Sequence, residues 1–329
     1  MVASFLEYAS LAVAYSLLAA AVLETLLRLW RIREPSLALE LRLLVLALPP
    51  LAPIIFPLIS PDWGSEQFRR WALLDLHHWL PADPSRPTPG WPLLPALLGA
   101  TLLLFIGLEA SGYLRRQRPA HGAPAPIPLP PEIASRLKGL ACRAGCSFPI
   151  LLVDHPRPSA CTVGLLRPTI LLTTGLLRVL DPEELEAVVA HEMAHGRRRD
   201  NWLGWLLLAL RLASLYNPVA LFAFHQIGQD MERICDAEAA RLSGSHLALA
   251  SALLKVHAAT RRPARHGIPG WPGRLGRKAM ALEDRARDAL VEDRARRLLD
   301  GSSHAGTSYP ALRLALAAGA VVGLAYMVA

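Results

Sequence analysis

Two histidines and a glutamate define the chemistry open to this chain. His191, Glu192 and His195 lie within V-V-A-H-E-M-A-H-G-R-R-R-D, which runs from Val188 to Asp200. Residues four apart on a helix project from one face, so both imidazoles can reach one metal ion at about 2.0–2.1 Å. Glu192 is one step round the helix, within reach of a water on an open coordination position. Two neutral imidazoles and one carboxylate leave Zn2+ electrophilic enough to bring that water towards a pKa of about 7. Glu192 can then take its proton and pass it to a leaving amine. The expected cofactor is one catalytic Zn2+ ion, and the expected reaction is peptide-bond hydrolysis. The rival class is a signalling scaffold with a structural metal. Structural zinc is usually closed by four protein ligands and has no use for Glu192.

The third ligand must come from elsewhere. The short metzincin extension needs Gly at 198 and His at 201, where this chain has Arg198 and Asn201. The segment D-M-E-R-I-C-D-A-E offers Asp230, Glu232, Asp236 and Glu238 instead. Glu232 and Asp236 share a helical face. Glu232 is the preferred ligand, and Asp236 is preferred to accept the far N–H of a ligating histidine. Glu238 is the next candidate ligand, and His225 is expected to stay off the metal.

The elements that must hold these residues read as follows. Asp181-Pro182-Glu183-Glu184 starts the helix that carries the motif: an N-cap, proline at the first position and acids in the first turn. Residues 132–145 form a helix, 149–154 a strand, and 160–174 two short strands meeting at Arg167-Pro168. A strand at the edge beside the motif helix can pair with an extended substrate, which makes Thr162, Val163 and Gly164 candidate substrate-binding residues.

The chain is 329 residues long, 53% hydrophobic and 19% charged, with mean hydropathy +0.30. That is too apolar for an ordinary soluble domain. Three spans are expected at 8–30, 43–60 and 92–113, and a fourth at 306–329. The first lacks a basic n-region and reads as a retained helix rather than a signal peptide. A Pro-rich linker fills 115–131, and the catalytic domain 132–305. The net charge of +8 resides in loop arginines, which report topology and contact with anionic lipid; no direct nucleic-acid binding is expected. Arg28, Arg31, Arg33 and Arg42 place the first connection inside, so the catalytic domain faces the cytoplasm. Cys142, Cys146, Cys161 and Cys235 read as reduced thiols. The loop 61–91, with Trp71, His77, His78 and Trp79, reads as an interfacial segment, 261–278 as a basic loop, and 282–300 as a solvated helix with pairs such as Glu283–Arg287.

One stretch conflicts with the site. Leu203–Phe224 is apolar enough to be a span, yet a crossing would put His195 and Glu232 about 30 Å apart. It is therefore read as a hairpin of two helices broken at Asn217-Pro218, with Arg211 arguing against plain lipid exposure.

H-E-M-A-H-G-R-R-R-D-N, then an apolar stretch with Y-N-P, then E-R-I-C-D-A-E-A-A-R-L-S-G resembles the BlaR/MecR-type membrane metallopeptidases. The cysteine in E-R-I-C-D favours them over the nearby HtpX/CAAX prenyl protease group, whose pattern usually has alanine there. The resemblance implies that His191, His195 and Glu232 bind zinc and that Glu192 is catalytic. It implies a mainly α-helical integral membrane protein with an α+β gluzincin zinc-metallopeptidase domain, in a bacterial inner membrane. The implied partners are membrane lipid and a protein or peptide substrate, with a transcriptional repressor as one candidate. The antibiotic sensors of that family carry an external penicillin-binding domain after the last span. No S-x-x-K acylation motif follows here, so direct β-lactam sensing is not expected. HtpX-like membrane-protein quality control is the alternative to signalling proteolysis.

Overall fold

The structure is a computed structural model, which describes residues 2–30, 34–63, 65–70, 72, 126–214, 216–260, 285, 288–300 and 311–327. In chain order the elements are α1 (Val2–Leu29), α2 (Pro35–Ile59), α3 (Glu66–Arg69), α4 (Pro131–Ala144), β1 (Ile150–Val153), β2 (Ala160–Val163), β3 (Thr169–Thr173), α5 (Thr174–Val179), α6 (Pro182–Arg198), α7 (Asp200–Ala213), α8 (Pro218–Ser243), α9 (His246–Thr260) and α10 (Ala311–Tyr326). A further helical stretch at 288–299 precedes α10. The chain forms two compact units: Met1–Pro119 with Trp205–Met231 and Gly306–Ala329, and Ala120–Gly204 with Glu232–Ala305.

In the first unit, apolar composition produces long helices. α1 and α2 hold 28 and 25 residues, and each contains a stretch long and apolar enough to cross a membrane, Ala12–Leu29 and Pro35–Ile59. The second was expected to begin at 43. The helix starts earlier because Pro35 sits in its first turn, where a missing N–H is harmless. Arg42 is tolerated there because its Nη2 lies 2.7 Å from Glu24 and its Nη1 bonds Asp230, which is fully buried. α10 has 16 residues, about 24 Å at 1.5 Å each, which is short of a 30 Å hydrocarbon core. Small residues such as Ala19, Ala38, Ala52 and Ala317 let α1, α2 and α10 pack closely. The expected third span at 92–113, the loop residues Trp71, His77, His78 and Trp79, the start of the linker and the basic loop 261–278 lie outside the described residues.

The apolar stretch 203–224 is two helices. α7 stops at Ala213 and α8 starts at Pro218. Asn217 makes the break: its Oδ1 accepts from the N–H groups of Val219 at 3.0 Å and Ala220 at 3.4 Å, and its Nδ2 donates to Ser16 Oγ at 2.7 Å. Arg211 is buried and lies over the Phe224 ring, 4.4 Å from its centroid.

The second unit is built on a three-stranded sheet of order β1-β3-β2. β1 runs parallel to β3 and β2 antiparallel to it, which leaves β2 at an edge among the described residues. Alternation on β3 buries Ile170 and Leu172 in a core with Leu137 and Leu140 of α4, Val189 and Met193 of α6, and Leu249 of α9. α6 starts with a capping box. The Asp181 carboxylate accepts from the N–H groups of Glu183 and Glu184 at 3.1 and 2.9 Å, and Glu184 accepts from the Asp181 N–H at 3.0 Å. Buried Glu184 is also held by Ser251 Oγ at 2.5 Å and Lys255 Nζ at 2.6 Å. The stretch 288–299 is solvated on one side only: Ala295 and Leu298 join the core. The expected pair Glu283–Arg287 lies outside the described residues, while Arg296–Glu292 pairs at 2.8 Å on the exposed side.

α6 ends at Arg199, the one non-glycine residue with positive φ (56°) among those described. This left-handed turn restarts the chain as α7 at Asp200. An L-residue there costs about 1–2 kcal/mol relative to its usual conformations. Arg199→Gly is therefore expected to stabilise the protein by roughly 1 kcal/mol, read as a raised thermal unfolding midpoint in detergent; an unchanged or lowered midpoint would sink that account.

Candidate metal centre

α6 carries His191 and His195 on one face, and the two rings stand 4.7 Å apart at 83°. Their Nε2 atoms are 3.1 Å apart. Glu232, on α8, brings Oε2 to 3.5 Å from His191 Nε2 and Oε1 to 3.8 Å from His195 Nε2. Metal bonds of 2.0–2.1 Å in a tetrahedron would separate ligand atoms by about 3.3 Å. The three edges found here bracket that value, and two imidazoles with one carboxylate suit Zn2+. The residues present therefore fit a zinc ion. Glu238 does not join them. It accepts from Arg197 at 2.5 Å and from Arg241 at 3.2 Å. His225 pairs with Gln229 at 2.9 Å on an exposed face, and Asp230 belongs to the Arg42 cluster of the first unit.

The far nitrogen of each ring faces a carboxylate. Asp236 Oδ1 stands 3.1 Å from His191 Nδ1, close enough to favour a charged ring, although the N–H is not aligned on it. His195 Nδ1 meets Asp200 Oδ2 at 2.8 Å. Were Nε2 to ligate a metal, Nδ1–H would be the donor in this pair. Asp200 was not among the sequence candidates. The signal was present as an acid five residues after His195, but only the Arg199 turn folds it back. Cys235 lies 3.4 Å from both His195 Nδ1 and Asp200 Oδ2. Burial pushes its thiol far above the usual range, so it is a neutral filler there.

Arg294 was also missed, because it lies in the charged stretch read as solvated. Its Nη1 sits 2.8 Å from Glu232 Oε2, while Nε and Nη2 form a fork on Asp236 at 2.8 and 2.6 Å. It neutralises part of the carboxylate charge and fixes both side chains. Burial alone would raise Glu232 and Asp236, but His191 and Arg294 outweigh it and hold each at about 2. Burial likewise opposes a charged His191. The facing Asp236 and Glu232 prevail and lift it to about 9 in the metal-free site.

Glu192, which follows His191 on α6, is half-buried. The Thr162 hydroxyl on β2 shares its one proton between Glu192 Oε2 at 2.9 Å and the Glu192 backbone O at 2.8 Å. Asn201 Nδ2 donates to Thr162 O at 3.2 Å and Gly164 O at 2.9 Å. Val163 is exposed on the same strand. The four cysteines are all free thiols.

Residues 152–282 match the profile of a family described as BlaR1 peptidase M56. The chain is also similar to proteins named Protease HtpX homolog. The one from Thermococcus sibiricus is 31% identical over 179 residues, covering 42% of this chain and 61% of the relative. The one from Pelotomaculum thermopropionicum is 29% identical over 202 residues, covering 49% and 72%. The chain thus spans about three fifths of the length of several of the curated relatives it matches. A crystal structure of S. mikatae Ste24p aligns over 70% of this chain and 71% of that one, with a TM-score of 0.32 and 16% identity.

Two outcomes test the metal centre. Asp200→Asn removes the anionic acceptor behind His195 and is expected to weaken zinc affinity about 10–100-fold, read by chelator competition; wild-type affinity would contradict the role given to Asp200. Zinc must also displace the proton that His191 holds with a pKa of about 9. Apparent affinity should therefore rise with pH and level off only as pH passes about 9, with proton release on binding; affinity flat between pH 7 and 9 would count against this arrangement.

Proposed function

We propose that this chain is a membrane-associated, zinc-dependent endopeptidase acting on protein or peptide substrates, in the manner of the HtpX-type proteases it resembles. One observation carries the reading: two imidazoles and Glu232 converge on one point, and the residue that follows His191 in the sequence is a further carboxylate, Glu192. A purely structural zinc site would gain nothing from that residue.

His191, His195 and Glu232 would hold the ion, with Asp200 and Asp236 orienting the rings. Bound there, Zn2+ would supply Lewis-acid activation of a water and polarisation of the scissile carbonyl. Glu192 would serve as the general base, taking a proton from the attacking water and delivering it to the leaving amine. Thr162 supports this by fixing one Glu192 oxygen at 2.9 Å, which leaves the other to accept. An extended substrate would lie along β2, where Thr162 and Val163 end the edge strand and Gly164 follows it. The two long apolar helices favour substrates presented at a membrane, and Arg28, Arg31 and Arg33 at their junction favour its cytoplasmic face.

Regulated signalling proteolysis, with a repressor as substrate, is the second reading. It is favoured by the match of 152–282 to the BlaR1 peptidase family. The cysteine in E-R-I-C-D does not decide between the two. Its place in the structure is beside Asp200 and His195, which either kind of enzyme could use.

The test uses the full chain in detergent with oxidised insulin B chain as substrate. Glu192→Gln should keep one zinc per chain and lose roughly 10²–10⁴-fold in kcat. Chelation should abolish wild-type cleavage and added zinc restore it. Equal cleavage by wild type and Glu192→Gln would refute the assignment. A proteome comparison of cells expressing the two forms would then separate one cleaved regulator from many misfolded membrane proteins.

A further inference from the structure

We infer that Asn201 is a stop that sets how far an extended substrate can pair along β2, and so which peptide bond reaches Glu192. This rests on the peptidase reading above and gives the site a determinant of cleavage position.

The argument starts from strand parity. Ser159 O accepts from the Thr173 N–H of β3 at 3.2 Å, and β2 pairs with β3 in antiparallel register. The main-chain groups of 159, 161 and 163 therefore face β3, and those of 160, 162 and 164 face outward. These outward groups are the ones an added strand would use. Two of the carbonyls already have a donor. Asn201 Nδ2 bonds Thr162 O and Gly164 O, and an amide nitrogen has two protons, so both are engaged. Past that point the strand geometry ends, because Gly164 turns at φ 93°. A side chain at 164 would meet the Arg167 carbonyl. Upstream, among the described residues, no group bonds the outward N–H or C=O of Ala160.

An added strand is thus offered Ala160 and the Thr162 N–H without hindrance, while at the carbonyls of 162 and 164 it must crowd against or displace the Asn201 amide. Thr162 also holds Glu192 through its hydroxyl. The residue where pairing stops is therefore the residue that positions the general base. The substrate bond opposite Thr162 is the one the chemistry meets. Residue 201 exerts this control without touching the reacting atoms, so it is a positioning residue.

A strand slips only in steps of two, because a one-residue slip turns every side chain to the wrong face. The test follows cleavage of oxidised insulin B chain by mass spectrometry, using the full chain in detergent. Asn201→Leu and Asn201→Asp both remove the two donors. Each is expected to keep one zinc per chain and to add products displaced by two residues from the wild-type cuts. Product ratios unchanged from wild type would overturn the proposal. A second arm needs no variant: substrate amides around the wild-type cut are N-methylated one at a time. Methylation of the single amide that meets Ala160 O should slow cleavage about tenfold, and methylation two residues further on should not. A run of sensitive amides continuing opposite Thr162 and Gly164 would overturn the stop. The peptidase reading fails differently, through an uncut peptide or through Glu192→Gln cutting as fast as wild type.

Discussion

The rest of the second unit follows from one electrostatic constraint: three carboxylates must be held against two imidazoles in a partly buried site. Asp200, Glu232 and Asp236 bring negative charge inward. Arg294 offsets some of it from within, and Arg198 approaches Asp200 from the solvent side at 3.3 Å. What remains unbalanced calls for a proton on His191 or a divalent cation between the rings. Isolated charges in such a place would be expensive, so each must be paired and hydrogen-bonded. That requirement explains the surrounding construction. α6 is clamped at its start by a reciprocal cap and at Glu184 by α9. The stretch 288–299 packs Ala295 and Leu298 into the core, and this delivers Arg294. The sheet brings Thr162 against the back of Glu192.

The convergence of His191, His195 and Glu232 was legible in the sequence. A four-residue histidine spacing on a capped helix dictates a shared face, and the i, i+4 relation of Glu232 and Asp236 dictates another. The two faces meet because Asn217-Pro218 breaks the apolar stretch between them, which was also visible as a proline after a capping side chain. Glu238 lay on the same acidic run, and only the competing Arg197 and Arg241 take it out of contention.

The missed residues share a physical reason. Asp200, Arg294 and Asn201 act through geometry that has no sequence period. Asp200 needs a left-handed residue before it, and Arg199 gives no hint of that because arginine rarely adopts it. Arg294 sits in an alternating-charge stretch whose exposed pairs hide the one inward guanidinium. Asn201 was noticed only as the place where a third histidine was absent. The start of α2 was misplaced because Arg42 reads as a boundary until its partners Glu24 and Asp230 are seen. The choice between relatives turned on Cys235, whose neutral, buried setting gives it no chemistry of its own.

The turn at Arg199 has a consequence for recognising such sites. It fixes Asp200 at five residues after His195, because a longer or shorter turn would swing the carboxylate away from the ring. An insertion between the two would thus part Asp200 from His195 while leaving the His191, His195 and Glu232 cluster untouched. The informative signature is therefore H-E-x-x-H followed by four residues and an acid. A copy that kept the first five positions but lost that interval would keep the two histidines and lose the carboxylate behind the second.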